Sequence, residues 1–423
     1  MSGINVLREC RWLKVGVKMS EDYAGLMVKL TENLRQRNGG IAGMEYFYNF
    51  ANRLYAGYLD ELKAQNRKII GVFCNFVPEE LVYAAGAFPI RLCSGYQGVI
   101  KKAEQVMPAN FCPAIKASYG MFLEDAPIFR ASDVVVIPTT CDGKKKLGEL
   151  IAETKNTWLL EVPHTNETPA ARELWLRSII TFKKELEKFT GIKITASALR
   201  KSIEICNAKR AAIRRLYELR RGQNVPIWGR DVFMAVGMSF YDEPVRFTNA
   251  INALCDELER KNAPVAPGAK RILLTGSPII VPAMKMANVI ENSKLVIVAD
   301  DMCTGSKTFH DPVMAPSGAM DDMMLAIAEK YLMNTCACFT PNSARLIRLQ
   351  QMAKDWAVDG VVYYVTQACS TYNIEGWNIQ KAFKAMNIPF FRIETDFSEQ
   401  DMGQIKIRME AFSEMIHGQI EDI

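Results

Sequence analysis

The chain has 423 residues, of which 49% are hydrophobic and 23% charged, and its formal net charge is +5. That length exceeds one ordinary hydrophobic core and predicts a globular protein of two domains. The small positive balance, with no basic stripe carrying interleaved aromatics, argues against a nucleic-acid partner. The most apolar long stretch, "RILLTGSPIIVPAMKMANVI", is broken by Gly276, Pro278, Pro282 and Lys285, which argues against a membrane span. Charges at Arg8, Glu9, Arg11 and Lys14 interrupt any apolar signal core, so the expected location is cytoplasmic.

Residues 1–67 read as a helical N-terminal segment, with apolar residues at helical spacing in "GMEYFYNFANRLYAGYLDELKAQ". Residues 68–190 carry four short apolar runs, "KIIGVF", "FPIRLC", "DVVVIP" and "TWLLEVP", separated by helical patterns. That alternation predicts a parallel sheet built from strand–helix–strand units. Residues 191–265 are a helical connection, in which "TASALRKSIEICNAKRAAIRRLYELRR" reads as a solvated connecting helix with an apolar stripe. Residues 266–423 repeat the first rhythm with "RILLTGSP", "KLVIVADD", "GVVYYVTQAC" and "IPFFRIETD".

The two blocks match in order. "FPIRLCSG" parallels "VIVADDMCTG", "NFCPAIKAS" parallels "ACFTPNSAR", and "DVVVIPTTCDG" parallels "DGVVYYVTQACST". The expected fold is therefore α/β: two Rossmann-like, doubly wound, mainly parallel domains related by internal duplication. The alignment sets Cys93 opposite Cys303, Cys112 opposite Cys338, and Cys141 opposite Cys369.

Eleven cysteines, an odd number, make a disulfide framework a poor reading, and with only three histidines, none near a cysteine in sequence, any metal centre should be nearly all thiolate. Cys74, Cys93, Cys141, Cys303 and Cys369 fall at or just beyond strand ends, where open parallel sheets bind ligands. Cys112, Cys336 and Cys338 lie in loops before helical patterns. Cys206 and Cys255 sit in helices and read as inert thiols, and Cys10 as incidental. The stretch "PTTCDGKKK" presents Cys141 at a strand tip, with Asp142-Gly143 turning into a helix and Lys144–Lys146 available to offset negative charge. No local ferredoxin run occurs, and neither a phosphate loop nor a dinucleotide fingerprint appears. No residue is assigned as acid or base; Glu79 and Glu80 read first as first-turn acids that suit the helix dipole.

The stretches "GVFCNFVPEELVYAAGAFPIRLCSG", "NFCPAIKAS", "TTCDGKKK" and "GQIKIRMEAFSEMI" closely resemble the 2-hydroxyacyl-CoA dehydratase and benzoyl-CoA reductase family of iron–sulfur proteins, over residues 66–415. In dehydratase subunits of that family one 4Fe-4S cubane is held by three cysteines, whose pattern falls here on Cys112, Cys141 and Cys369. The surplus of cysteines is more like the double-cubane proteins, in which one chain holds an 8Fe-9S cluster through six cysteines. The resemblance then implies Cys74, Cys112, Cys141, Cys303, Cys338 and Cys369, with Cys93 and Cys336 in reserve. It also implies a separate ATP-hydrolysing iron–sulfur activator that supplies low-potential electrons, a homodimer and a small-molecule substrate. The alternative it leaves open is a subunit of a 2-hydroxyacyl-CoA dehydratase, a lyase with a single 4Fe-4S cluster.

Overall fold

A computed structural model describes residues 4–261 and 263–418, with side chains from residue 21 onward; Cys10 lies outside those described side chains. The eight apolar runs fold as eight strands: β1 (Ile69–Val72), β2 (Phe88–Arg91), β3 (Val134–Pro138), β4 (Thr157–Leu160), β5 (Lys270–Gly276), β6 (Leu295–Asp301), β7 (Gly360–Thr366) and β8 (Phe390–Thr395). They form two four-stranded sheets, ordered β2-β1-β3-β4 and β6-β5-β7-β8, and every pairing is parallel. The strands β1, β2, β3, β6 and β7 are buried at every position. Parallel strands covered on both faces by crossover helices need such continuous apolar runs.

The two strand orders are the same when each sheet is counted from its first strand, which is the expected duplication expressed as topology. In each sheet the chain leaves the central strand toward one edge, then returns to the other side of it. The topological switch points therefore lie between β1 and β3 and between β5 and β7, where ligand crevices form beyond the strand ends.

The helical connection departs from its expected form in two ways. Residues 191–265 hold three helices, Ala196–Glu218, Gly229–Met238 and Pro244–Lys261, and the helix before them, Pro169–Thr190, ends at Gly191, whose φ is 74°. Thr168 caps Pro169–Thr190 and Thr195 caps Ala196–Glu218, their side chains accepting from the Ala171 and Ala198 amides. The Ala196–Glu218 helix is also not a solvated rod. It buries Leu199, Ile203, Ile213, Leu216 and Tyr217, together with Lys209 and Arg210. Its charges are basic because buried acids need partners: Arg210 pairs with Glu80 at 2.6 Å and Lys209 pairs with Glu79.

One apolar core joins the halves, containing Ile90, Val135 and Ile137 of the first sheet and Val298, Val361 and Tyr363 of the second. Trp175 reinforces the junction, its indole N–H donating to the Ala328 carbonyl at 2.8 Å. Among the described residues no helix is long and apolar enough to cross a membrane.

Candidate metal centre

Three cysteines share one local design. Cys112, Cys141 and Cys369 are the residues that precede the first turns of the helices Pro113–Leu123, Asp142–Ala152 and Ser370–Ala385. Each thiol thus stands at the positive end of a helix, where free N–H groups favour an anion. The opening of the Asp142–Ala152 helix shows how sequence builds this. Gly143 lies against Phe111 and Ile115, and a Cβ there would come within 3.2 Å of both side chains. Its role is close approach, not a left-handed turn.

The others follow strand ends. Cys74 lies two residues past β1, Cys93 two past β2, and Cys303 two past β6. Cys141 and Cys369 each lie three past their strands, β3 and β7. Cys74 has a φ of 57°, an uncommon conformation for a residue with a Cβ, costing roughly 1 kcal/mol or more. The Cys303 loop is tied by buried Asp300, which accepts from the Ser306 and Met302 amides at 2.9 and 3.2 Å and from the Tyr217 hydroxyl.

All eight half-buried cysteines share one electrostatic neighbourhood. Cys112 interacts with Cys141 and Cys369. Cys74 interacts with Cys93, Cys303 and Cys336. The Cys338 thiol donates a hydrogen bond to Cys336 and feels both Cys74 and Cys141, which links the two groups. The remaining described cysteines, Cys206 and Cys255, are fully buried in helices of the core.

Buried cations surround the thiols. Lys144 places Nζ 3.8 Å from Cys93 Sγ and 4.1 Å from the Phe73 ring centre. Its neighbours in the triple lysine turn away: Lys145 pairs with Asp142 at 3.1 Å and Lys146 with Glu149 at 2.6 Å. Only one of the three lysines therefore faces the cysteines. Arg91 lies beside Cys93 and Cys303. Lys307 and Arg345 act on Cys336, and both are bound to buried Asp301, at 3.3 and 2.7 Å.

Burial pushes Cys74 and Cys141 up and lifts Cys303 and Cys369 to about 11. Cys93 goes the other way: burial opposes, but the charges of Lys144 and Arg91 hold it down. Cys336 is also held down, first by the hydrogen bond from Cys338 and, against burial, by Lys307. The residues thus fit a large anionic thiolate-bound group: many thiols, helix N-termini and cations, with few acids among them. Among the described residues no three His, Cys, Asp or Glu side chains converge tightly enough to hold a single ion. A polynuclear cluster, in which each thiolate binds a different iron, does not need that convergence.

Arg91, Lys307 and Arg345 escaped the sequence reading. Arg91 carried a signal, being a lone cation inside the apolar run "FPIRLC". The paired acids in "PEEL" are fixed by structure. Glu80 is fully buried, and burial, which would raise it, is outweighed by Arg210, so its carboxyl lies below the usual range.

Fold and site together define an α/β protein with two parallel sheets whose strand-end thiols share one electrostatic neighbourhood. Residues 74–416 match the family model described as 2-hydroxyglutaryl-CoA dehydratase, D-component. The chain belongs to that family, whose members are dehydratases or reductases. It is 36% identical to a protein of Escherichia coli (strain K12) named provisionally as the dehydratase subunit YjiM, over 88% of this chain and 97% of that one. It is 27% identical to the beta subunit of (R)-2-hydroxyglutaryl-CoA dehydratase of Acidaminococcus fermentans, over 85% and 95% of the two chains. It is 20% identical to one of the subunits of benzoyl-CoA reductase of Thauera aromatica, over 83% and 91%.

Proposed function

We infer that the chain is an iron–sulfur reductase that accepts low-potential electrons from a separate ATP-hydrolysing activator, acts as a cytoplasmic homodimer, and reduces a small substrate. Cys74, Cys112, Cys141, Cys303, Cys338 and Cys369 would hold an 8Fe-9S double-cubane cluster, with Cys93 and Cys336 in reserve. The observation that carries this reading is the convergence of eight half-buried cysteines from both sheets. When bound, the cluster would supply low-potential electrons one at a time. The chain's own residues offset the charge: helix N-termini at Cys112, Cys141 and Cys369, and side-chain cations at Cys93 and Cys336. The absence of a phosphate loop from the sequence fits hydrolysis by a partner.

A second reading, a 2-hydroxyacyl-CoA dehydratase subunit with one 4Fe-4S cluster on Cys112, Cys141 and Cys369, is favoured by the mutual proximity of those three and by the names of the relatives. That reading uses three cysteines and leaves the five other half-buried ones, Cys74, Cys93, Cys303, Cys336 and Cys338, without a role, which weighs against it. Iron and sulfide analysis of protein purified without oxygen decides between the two readings. About eight irons per chain are expected, and about four would sink the double-cubane reading.

A further inference from the structure

Arg91 ends β2 and is only 5% exposed, yet no carboxylate pairs with it among the described residues. Its Nη2 donates to Asn75 Oδ1 at 2.5 Å, and its plane lies over the Phe240 ring, 4.1 Å from the centre. Its Nε and Nη1 have no hydrogen-bond partner, and neither does Asn75 Nδ2. The orientation of that amide is fixed, because arginine can only donate and so must face the carbonyl oxygen. Cys93 is the one acceptor beside Arg91, and no oxygen or nitrogen accepts from these three buried donor nitrogens, which is costly unless an acceptor arrives.

These residues line a cavity of about 30 Å³ that also reaches Cys74. Three other cations on its wall are already paired: Lys209 with Glu79, Arg210 with Glu80, and Lys307 with Asp301. Lys330, also on that wall, lies over the Tyr331 ring, and burial and the Arg210 charge push it down to about 7, so Arg91 is the permanently charged cation there that lacks a carboxylate. Arg91 also lines a second cavity, whose walls are mainly aromatic and aliphatic and include Cys93, which offers an anion less.

We propose that Arg91 and Asn75 form a binding site for a small monovalent anion beside the cysteine cluster. The cavity admits about two to four heavy atoms, so a carboxylate-like or linear anion fits and an acyl thioester does not. Arg91 supplies charge and two N–H donors, Asn75 supplies a third, and Phe240 holds the guanidinium plane. That this anion is the substrate class rests on the reductive reading above; the binding site itself does not.

The test soaks crystals of the iron-loaded protein, grown without oxygen, in sodium bromide and reads the anomalous map. A bromide peak beside Arg91 Nε and Nη1 is expected, lost in Arg91→Gln crystals that keep their iron. In solution, formate binding by calorimetry should weaken at least tenfold in the same variant. A wild-type map with no bromide there would overturn the proposal, since the donors would then serve the cluster's own sulfides. Undiminished formate binding in Arg91→Gln would overturn it too. If that variant fails to fold, the wild-type map alone decides. Iron counted on the same protein separates the two ideas: bromide with about four irons per chain upholds this site and sinks the double-cubane reading.

Discussion

The two halves of the molecule share a strand order and differ in charge. Cys93 and Cys303 both stand two residues past an edge strand, and Cys141 and Cys369 both stand three past an inner one. The match fails at the central strands: β1 is followed by Cys74, whereas Pro278 takes that place after β5. It fails again in the cations. In the first half, Arg91 and Lys144 have no carboxylate partner among the described residues. In the second, Lys307 and Arg345 share Asp301, and Arg345 also binds Glu375. The expected pairing of Cys112 with Cys338 fails as well, since Cys112 caps a helix and Cys338 lies five residues before one. Duplication thus preserved two thiol positions, Cys93 with Cys303 and Cys141 with Cys369, while the other thiols and the charge diverged. The first half leaves its cations free to answer negative charge in the site; the second spends them on its own carboxylates.

The largest effect should test the shared part. Cys141→Ser and its counterpart Cys369→Ser should each lose about half or more of the iron, measured on protein purified without oxygen. Cys206→Ser, buried in the core helix, should keep its iron. A Cys141→Ser protein with full iron and an unchanged spectrum would remove the anchor of the repeat.

Next comes the divergent part. Arg345 is fully buried and holds Asp301, Glu375 and, at 3.1 Å, Thr275 Oγ1. Arg345→Met strips Glu375 of its cation and leaves Asp301 with Lys307 alone, and should cost about 3–5 kcal/mol in urea unfolding. Lys144→Met removes a cation without stranding an acid and should cost far less. Equal losses would mean that the contrast in pairing has no energetic content.

Much of this was legible from local chemistry. All eight strands follow from runs such as "DVVVIP", because apolar runs of that length between helical patterns have one common use in a parallel sheet. The repeat was visible because cysteines recur at fixed distances from strand ends. Burial of the Ala196–Glu218 helix was not legible. Its basic pattern looks solvated until Glu79 and Glu80, more than a hundred residues earlier, are found against it. The division of the triple lysine was hidden for a related reason. Helical geometry turns successive residues about 100° apart, so one of three neighbours faces inward, and only the packed structure says which.

The smallest effect concerns that one lysine. Lys144 Nζ is 3.8 Å from Cys93 Sγ and lies within the cysteine neighbourhood, while Lys146 is exposed and paired with Glu149. A unit charge about 4 Å away is worth about 4 kcal/mol at an effective dielectric near 20. Spread over a many-atom anion, a fraction of that reaches the redox equilibrium. Removing a positive charge disfavours the state that gains an electron, so Lys144→Met should lower the midpoint potential. A shift of roughly 60 mV, a tenfold change in a one-electron equilibrium, is expected in a titration followed by electron paramagnetic resonance, with iron content unchanged. Lys146→Ala should not move it measurably, because solvent and salt screen an exposed charge. Lys307→Met should move it less than Lys144→Met, since Asp301 already answers much of the Lys307 charge. Equal shifts at Lys144 and Lys307 would show that pairing to Asp301 does not mute a cation at this site. The charge contrast between the halves would then be one of packing alone.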